Sequence, residues 1–244
     1  MCDLAAIEAL AARLAAQLGP EGTAGLDEAE AEWVLFPVTR ERALPAGYAP
    51  DDLVATTGGG PAPQGAQRVR RLIVPDLTAL FAAARAEGVT LALYSGFRSY
   101  ETQRAVFEAG VRQLLARGAS PEEAAERANR FRARPGHSQH QLGTTVDVTA
   151  PEVDWRLSQQ LADTRAGQWL AGHAWEYGFV APYTPAAEPR TGYAAEPWHL
   201  RWLGRPLAAL LAAEGYAERA DLIVDDYLQA LELLRGGAGA ACTA

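Results

Sequence analysis

Histidine is scarce in this 244-residue chain, and two of its four histidines stand in one short segment that also carries an aspartate. Six residues separate His140 from Asp147. A catalytic zinc ion takes three nitrogen or oxygen ligands and leaves one position open. Two neutral imidazoles and one carboxylate would meet that need and leave the ion able to acidify water and polarise a carbonyl. Alone, the pair is weak support for a metal site, because unrelated loop and strand residues give the same spacing.

A second candidate cluster lies at residues 196–202, which read Glu-Pro-Trp-His-Leu-Arg-Trp. Pro197 disfavours helical backbone at Glu196, so this is not the helical His-Glu-x-x-His site. On a strand, Glu196 and His199 would point to opposite faces, and both reach one ion only if the chain bends at Pro197. With that bend, His199 would be a third ligand and Glu196 a base that takes a proton from water. The alternative is a surface glutamate beside a histidine packed in the core.

A third candidate segment, residues 94–103, reads Tyr-Ser-Gly-Phe-Arg-Ser-Tyr-Glu-Thr-Gln. Its composition is typical of a strand end, a glycine turn and a helix start. Arg98 would then lie at a strand terminus, where its guanidinium could face a cleft. Such a group suits a carboxylate or a developing oxyanion. The alternative is a surface arginine paired with a nearby acid.

Hydrophobic periodicity predicts the elements that position these side chains. Strands are predicted near residues 89–93, 144–149 and 198–202. Helices are predicted at 4–18, 75–87, 99–117, from 120 onward, 169–177, 207–211 and 223–234. Residues 55–67 are rich in glycine and proline and are predicted to form a loop. Because the strands are short and helices interrupt them, the predicted class is α+β with a small sheet.

Composition excludes several classes of function. The formal net charge is −8 and every cationic side chain is arginine, so the chain lacks the basic stripe that nucleic-acid binding requires. No apolar run approaches 18 residues, so no transmembrane segment is predicted. The two cysteines, Cys2 and Cys242, form no Cys-x-x-Cys pair, which excludes a thiolate zinc site. Whether they form a disulfide is left open.

The N-terminus reads Met-Cys-Asp-Leu-Ala-Ala-Ile-Glu. It has neither a basic flank nor a continuous apolar stretch, so it is not predicted to be a signal peptide. Two interpretations follow: a cytoplasmic enzyme, or a chain from which an export segment has been removed. The sequence does not decide the compartment.

In order along the chain, the three segments resemble the VanY-type D-alanyl-D-alanine carboxypeptidases. That family carries Ser-Gly-Tyr/Phe-Arg-Ser-x-x-x-Gln, matched at 95–103, and Pro-Gly-x-Ser-x-His-x-x-Gly-x-x-x-Asp, matched at 135–147. Its third motif, Glu-Pro-Trp-His, is matched at 196–199. The wider group includes D-Ala-D-Ala dipeptidases and Hedgehog-like zinc folds. The resemblance covers roughly residues 35–205, and it implies a small antiparallel sheet flanked by helices in the Hedgehog/D,D-peptidase-like fold.

The resemblance implies a role for each matched position. One zinc ion would be bound by His140, Asp147 and His199. Glu196 would be the base and Arg98 would stabilise the oxyanion. Ser138 would help to hold the terminal carboxylate of the substrate, and Gln103 would support the pocket.

The sequence departs from the family pattern at a few positions. Gln139 stands where the family usually has glutamate, and this change is expected to matter little because the position is not a ligand. Thr144 and Thr145 replace a more usual apolar and small pair, a change expected to alter the pocket wall. His173 is interpreted as a helix-surface or core residue, and His137 as a neighbour of the ligands or a solvated loop residue.

The predicted function is therefore zinc-dependent removal of the terminal D-alanine from peptidoglycan stem peptides or their precursors. A dipeptidase for free D-Ala-D-Ala, or an endopeptidase, would use the same zinc site. A wall-binding domain without catalysis is disfavoured because Glu196 and Arg98 are present, and nothing beyond the fold supports a Hedgehog-type signalling domain. Three parts are predicted: an N-terminal amphipathic helix and lead-in (1–34), the catalytic domain (35–205), and a C-terminal helical extension and tail (206–244). Oligomeric state is left open.

Overall fold

The computed structural model describes residues 4–20 and 22–236, so Cys2 and Cys242 lie outside the described residues. The α-helices in this range are α1 (Leu4–Leu18), α2 (Glu28–Val34), α3 (Val74–Ala86), α4 (Tyr100–Leu115), α5 (Pro121–Asn129), α6 (Arg165–His173), α7 (Glu188–Thr191), α8 (Arg205–Ala213) and α9 (Val224–Leu234). The strands are β1 (Leu53–Thr56), β2 (Gln67–Arg70), β3 (Ala92–Ser95), β4 (Thr145–Thr149), β5 (Phe179–Val180) and β6 (His199–Trp202). None of the described helices is both long and apolar enough to cross a membrane.

The central sheet has four antiparallel strands in the order β3-β4-β6-β5. Both inner strands, β4 and β6, are buried along their whole length. In the register of these strands Asp147 pairs with His199 on one side and with Ser95 on the other. The sheet therefore brings the second and third motifs together directly, and the end of β3 brings in the first.

A separate two-stranded sheet, β1-β2, encloses the glycine-rich segment that follows Thr56. The loop predicted for residues 55–67 is therefore wrong at both ends, because β1 continues through Thr56 and β2 begins at Gln67. The strand β2 reads Gln-Arg-Val-Arg and buries only Val69. One apolar residue in four is too little for a periodicity to be recognised.

Side-chain caps set the starts of two helices next to the site. Ser99 caps α4 by accepting a hydrogen bond from the backbone N–H of Thr102, so the helix begins at Tyr100, two residues after Arg98. Ser120 and Glu123 form the reciprocal capping box of α5, as the sequence predicts. These caps fix where each helix starts, and the cap of α4 thereby fixes the position of Arg98.

One continuous apolar core joins the sheet to the terminal helices. It includes Leu14 of α1, Leu80 of α3, Val146 of β4 and Leu231 of α9, all fully buried. The helices α1 and α9 pack against each other. The α+β class with a small antiparallel sheet is confirmed, whereas the division at 34/35 and 205/206 stays a prediction.

Candidate active site

A cleft of about 200 Å³ is lined by residues of all three motifs. The first motif contributes Arg98 and Gln103, and the second motif follows the turn into β4. The candidate residues that face the cleft are Arg98, Gln103, Ser138, His140, Asp147, Glu196 and His199. The structure thus brings together every site residue that the sequence predicts, although it does not by itself assign their roles.

The side chains of His140, Asp147 and His199 form a tight buried cluster. One potential ligand atom from each lies within 4.8 Å of the others. Nε2 of His140 is 3.2 Å from Oδ2 of Asp147, and Nδ1 of His199 is 3.3 Å from Oδ1. Each residue is 4% exposed or less. The cluster therefore points two imidazole nitrogens at opposite oxygens of one carboxylate.

The other nitrogen of each imidazole already has a partner. Nδ1 of His140 donates to the carbonyl of Gly96 at 2.7 Å. Nε2 of His199 donates to Oε1 of Gln139 at 3.2 Å. These bonds fix the tautomer and the ring orientation, and they leave the cluster-facing nitrogens with free lone pairs. Gln139 thus contacts a predicted ligand directly, and whether its identity matters stays a prediction.

The cluster fits a divalent metal on its own chemistry. Oδ1 of Asp147 is buried and has no hydrogen-bond partner among residues 4–20 and 22–236. Burial opposes ionisation of Asp147, but the two neighbouring histidines outweigh it and hold the pKa of this carboxyl well below its usual range. Burial lowers the pKa of His199 to about 4, so its imidazole is neutral at pH 7. A carboxylate and neutral imidazoles are the donor set that zinc takes.

Glu196 reaches the same cluster through a turn at Pro197. The turn is closed by a 3.0 Å hydrogen bond from the N–H of His199 to the carbonyl of Glu196. This is the bend that the sequence requires, and it places Oε2 of Glu196 3.7 Å from Nδ1 of His199. Burial, reinforced by the nearby Asp147 carboxylate and opposed by Arg98, raises the pKa of Glu196 to about 8. The turn thus sets a carboxyl group beside the cluster without adding it to the cluster.

Arg98 lies on the other side of Asp147. Its guanidinium donates to Oε1 of Gln103 at 2.8 Å and to Oγ of Ser95 at 3.3 Å, and it lies 3.6 Å from Oδ2 of Asp147. The amide of Gln103 in turn donates to the carbonyl of Ala133. Arg98 is therefore held at the cleft by two neutral hydrogen-bond partners and by an ion pair with Asp147.

Sequence reasoning missed Tyr183, whose ring lies 4.9 Å from the ring of His199 and lines the cleft. Tyr183 stands in a loop with no motif around it, so only the folded chain reveals the contact. His173 stacks on Trp169 within α6, in agreement with its interpretation as a packing residue. Nδ1 of His137 bonds to the carbonyl of Thr39, so this histidine is fixed beside the site and is not among the residues that line the cleft.

Known proteins are similar to this chain in sequence. Residues 66–205 match the family VanY, D-alanyl-D-alanine carboxypeptidase. A D-alanyl-D-alanine carboxypeptidase of Enterococcus faecalis (strain ATCC 700802 / V583) is 32% identical over 199 residues, which cover 82% of this chain and 67% of that protein.

Solved structures are similar over most of the chain. The LdcB LD-carboxypeptidase has a TM-score of 0.69 at 29% identity, over 83% of this chain and 87% of that one. A variant of the vancomycin resistance D,D-pentapeptidase VanY, solved with Zn(II), has a TM-score of 0.65 at 31% identity, over 81% and 99%. The predicted Hedgehog/D,D-peptidase-like fold and the resemblance noted from the three motifs are both confirmed. With the family match extending from β2 to the start of α8, the chain belongs to the VanY family of D-alanyl-D-alanine carboxypeptidases.

Proposed function

We propose that this protein is a zinc-dependent carboxypeptidase that removes the terminal D-alanine from peptidoglycan stem peptides. The observation that carries the proposal is the meeting of His140, Asp147 and His199 with Glu196 in one cleft. Membership of the VanY family and the Zn(II) complex of a structural relative support it. The peptide substrate is the proposed partner.

Three side chains would hold the zinc ion. His140 would bind through Nε2, His199 through Nδ1 and Asp147 through its carboxylate, because these atoms face one another and the remaining imidazole nitrogens are engaged. When bound, zinc polarises a peptide carbonyl and lowers the pKa of water. The cluster provides three protein ligands, which leaves room for substrate and water.

Glu196 would move the protons of the reaction. Its carboxylate lies beside the cluster but belongs to the turn before β6, so it can approach water without binding the metal. In its ionised form, which the charge of a bound zinc ion would favour, it would accept a proton from the attacking water and return that proton to the leaving amine of D-alanine.

Arg98 and Ser138 would bind the two charged oxygens of the substrate. The guanidinium of Arg98, oriented by Gln103 and Ser95, is placed to donate to the oxygen that becomes negative as the carbonyl is attacked. Ser138, which is 5% exposed and lines the cleft, would donate to the terminal carboxylate.

A second candidate activity is cleavage of an L,D bond. The LdcB LD-carboxypeptidase is similar over 83% of this chain, at a TM-score of 0.69. An L,D-carboxypeptidase cleaves the bond that follows an L-configured centre, whereas a D,D-carboxypeptidase cleaves the bond that follows a D-configured residue.

The rim of the cleft is open to solvent at Phe131, which is 52% exposed. An open rim favours a longer peptide over a free dipeptide.

The test is D-alanine release from three substrates: a muramyl pentapeptide, the corresponding tetrapeptide and free D-Ala-D-Ala. Each is incubated with the protein as purified, after chelation, and after zinc is restored. We expect chelator-sensitive, zinc-restored release from the pentapeptide. Release from the tetrapeptide alone would replace the D,D-activity with the L,D-activity, and zinc binding with no release from any substrate would overturn both.

A further inference from the structure

Arg132 is a second guanidinium in the cleft, and the reaction as proposed does not use it. Its partly buried side chain lines the same cleft as Arg98 and Glu196. It forms no ion pair and no side-chain hydrogen bond with any residue that the structure describes. A cation that faces a substrate cleft without an anionic partner is a candidate for recognising an anion in the substrate.

The neighbouring arginines differ in this respect. Arg130 pairs with Glu188, and Arg134 lies 3.8 Å from Glu126. Neither of them lines the cleft. Arg132 is thus the one arginine of the 130–134 segment that faces the cleft, and within the described residues it is also the one that lacks an acidic partner.

The side chain of Arg132 packs against helix α4. Gln103, Val106 and Gly110 follow one another at helical spacing on one face of α4, and the first two line the cleft. A Cβ atom at Gly110 would lie 2.9 Å from Nη1 and 3.0 Å from Cδ of Arg132. The glycine therefore lets the arginine stem lie directly against the helix.

The backbone of the segment is anchored to the same helix. The amide of Gln103 donates to the carbonyl of Ala133 at 2.5 Å, and this amide belongs to the side chain that orients Arg98. Gln103 thus connects the Arg98 guanidinium to the backbone of the residue after Arg132. Arg98 is proposed to act on the reacting carbonyl, and Arg132, which lines the same cleft from another segment, is available to another part of a bound peptide.

We propose that Arg132 is a specificity residue that binds a carboxylate of the substrate peptide. The inference rests on the proposed function, because it takes a peptide as the ligand. A guanidinium is planar and forms two parallel hydrogen bonds to a carboxylate. Two carboxylates near the scissile end of a stem peptide meet this requirement: the terminal one, and the side-chain one of a diamino dicarboxylic third residue.

The test measures peptide affinity with the zinc-loaded full chain, by calorimetry in the Glu196→Gln background so that peptide is not consumed. The probes are an acylated peptide ending in D-Ala-D-Ala, its terminal amide, and versions with either meso-diaminopimelate or L-lysine as third residue.

Arg132→Ala should weaken binding of the carboxylate-bearing peptide by about 10-fold or more. Arg132→Lys keeps the charge without the planar fork and should recover part of the loss. Arg127→Ala is the matched control, since it removes an exposed arginine of α5 that does not line the cleft.

The pattern across probes decides the outcome. A loss for the free acid that is absent for the amide assigns Arg132 to the terminal carboxylate. A loss confined to the diaminopimelate peptides assigns it to the side-chain carboxylate. An equal loss for every probe, or Kd values within about twofold of the unsubstituted protein, overturns the proposal. With Glu196 intact, Arg132→Ala should raise KM and leave kcat nearly unchanged.

The binding experiment tests the role of Arg132 separately from the proposed function. Absence of D-alanine release by the wild-type protein would refute the function, yet the carboxylate-dependent affinity difference would still establish Arg132 as a recognition residue. Conversely, normal release together with unchanged affinities would retain the function and reject the role of Arg132.

Discussion

In each histidine of the candidate site, the two ring nitrogens have different partners. Each histidine of the cluster engages one nitrogen with a fixed protein acceptor and points the other at Asp147. The carboxylate, in turn, has a buried oxygen without a hydrogen-bond partner among the described residues. Side chains arranged in this way are preorganised for a cation, since little rotation is needed when it binds.

Glu196→Gln separates the proposed base from the proposed metal ligands. The amide preserves the size of the side chain but cannot accept a proton, so turnover should fall by about two to four orders of magnitude. Zinc content, measured by atomic absorption, should stay near one ion per chain. His199→Ala is the contrasting variant, and it should lose both zinc and turnover. Full turnover of the Glu196→Gln variant would contradict the assignment of Glu196 as the base.

Gln139→Ala tests the orienting bond to His199. Without the acceptor at 3.2 Å, the imidazole loses the partner that fixes its tautomer, and zinc affinity should fall about 10- to 100-fold. Competition with a chromophoric chelator measures this change. Gln141→Ala is the matched control: this buried glutamine of the same turn donates to the carbonyls of Pro45 and Tyr48. If both variants lose affinity equally, the effect comes from the turn and not from the bond.

At the scale of elements, Gly96 links the end of β3 to the metal cluster. Its carbonyl accepts the bond from His140, and a Cβ atom at this position would lie 2.4 Å from the carbonyl oxygen of Arg68 in β2. The glycine therefore permits a close approach of two strands from different sheets. This approach is what brings the segment of Arg98 alongside the turn that carries His140.

Gly96→Ala should destabilise the protein by about 1–3 kcal/mol, because backbone atoms of both strands must separate to admit the methyl group. Zinc affinity should fall with it, since the Gly96 carbonyl moves away from His140. Chemical denaturation and zinc competition measure the two effects. Gly172→Ala is the control, because its Cβ would meet nothing within 4 Å on α6, and alanine should there be neutral or stabilising. Equal stability of Gly96→Ala and the parent would contradict the argument.

The elements differ in how far sequence alone predicts them. The α5 capping box and the apolar spacing of α1 are local signals, and the structure reproduces both. The hairpin β1-β2 gives no such signal, because its strands are short and few of their residues are buried. The helix α2 has a local signal in its Asp27 cap and first-turn acids, but its seven residues are too few for an apolar periodicity to be recognised. The stability of both elements comes from contacts with distant parts of the chain, which a window of sequence does not contain.

The same distinction holds for the site. Ordered motifs predict the seven candidate residues, and all seven line the cleft. Tyr183, Arg132 and the acceptor role of Gln139 were not predicted, because each depends on how two separate segments approach in three dimensions. The bend at Pro197 lies between these cases, since it could be stated as a requirement but not demonstrated before the fold was known.

At the scale of the whole molecule, the strand of His199 interacts with the helices α2 and α9. Arg201 of β6 is fully buried, and its guanidinium donates to the carbonyls of Val34 and Phe36, at the end of α2 and just beyond it. The acidic side chain of Asp225, on α9, is buried near the Arg201 guanidinium and favours its charged form. Strand β6 therefore interacts with residues on both sides of the matched 66–205 region.

Leu231→Ala tests whether the C-terminal helix is an appendage or part of the cooperative unit. Leu231 is fully buried in the same core as Leu14 and Val146, so truncation should cost about 2–5 kcal/mol through lost burial and the cavity left behind. Leu233→Ala, on the same helix but only partly buried, should cost less. Unfolding is followed by circular dichroism and by release of zinc. Because α9 packs on α1 and its core is continuous with the sheet, both signals should shift together in one transition. A first transition that melts helix while zinc stays bound would instead support 206–244 as a separate extension.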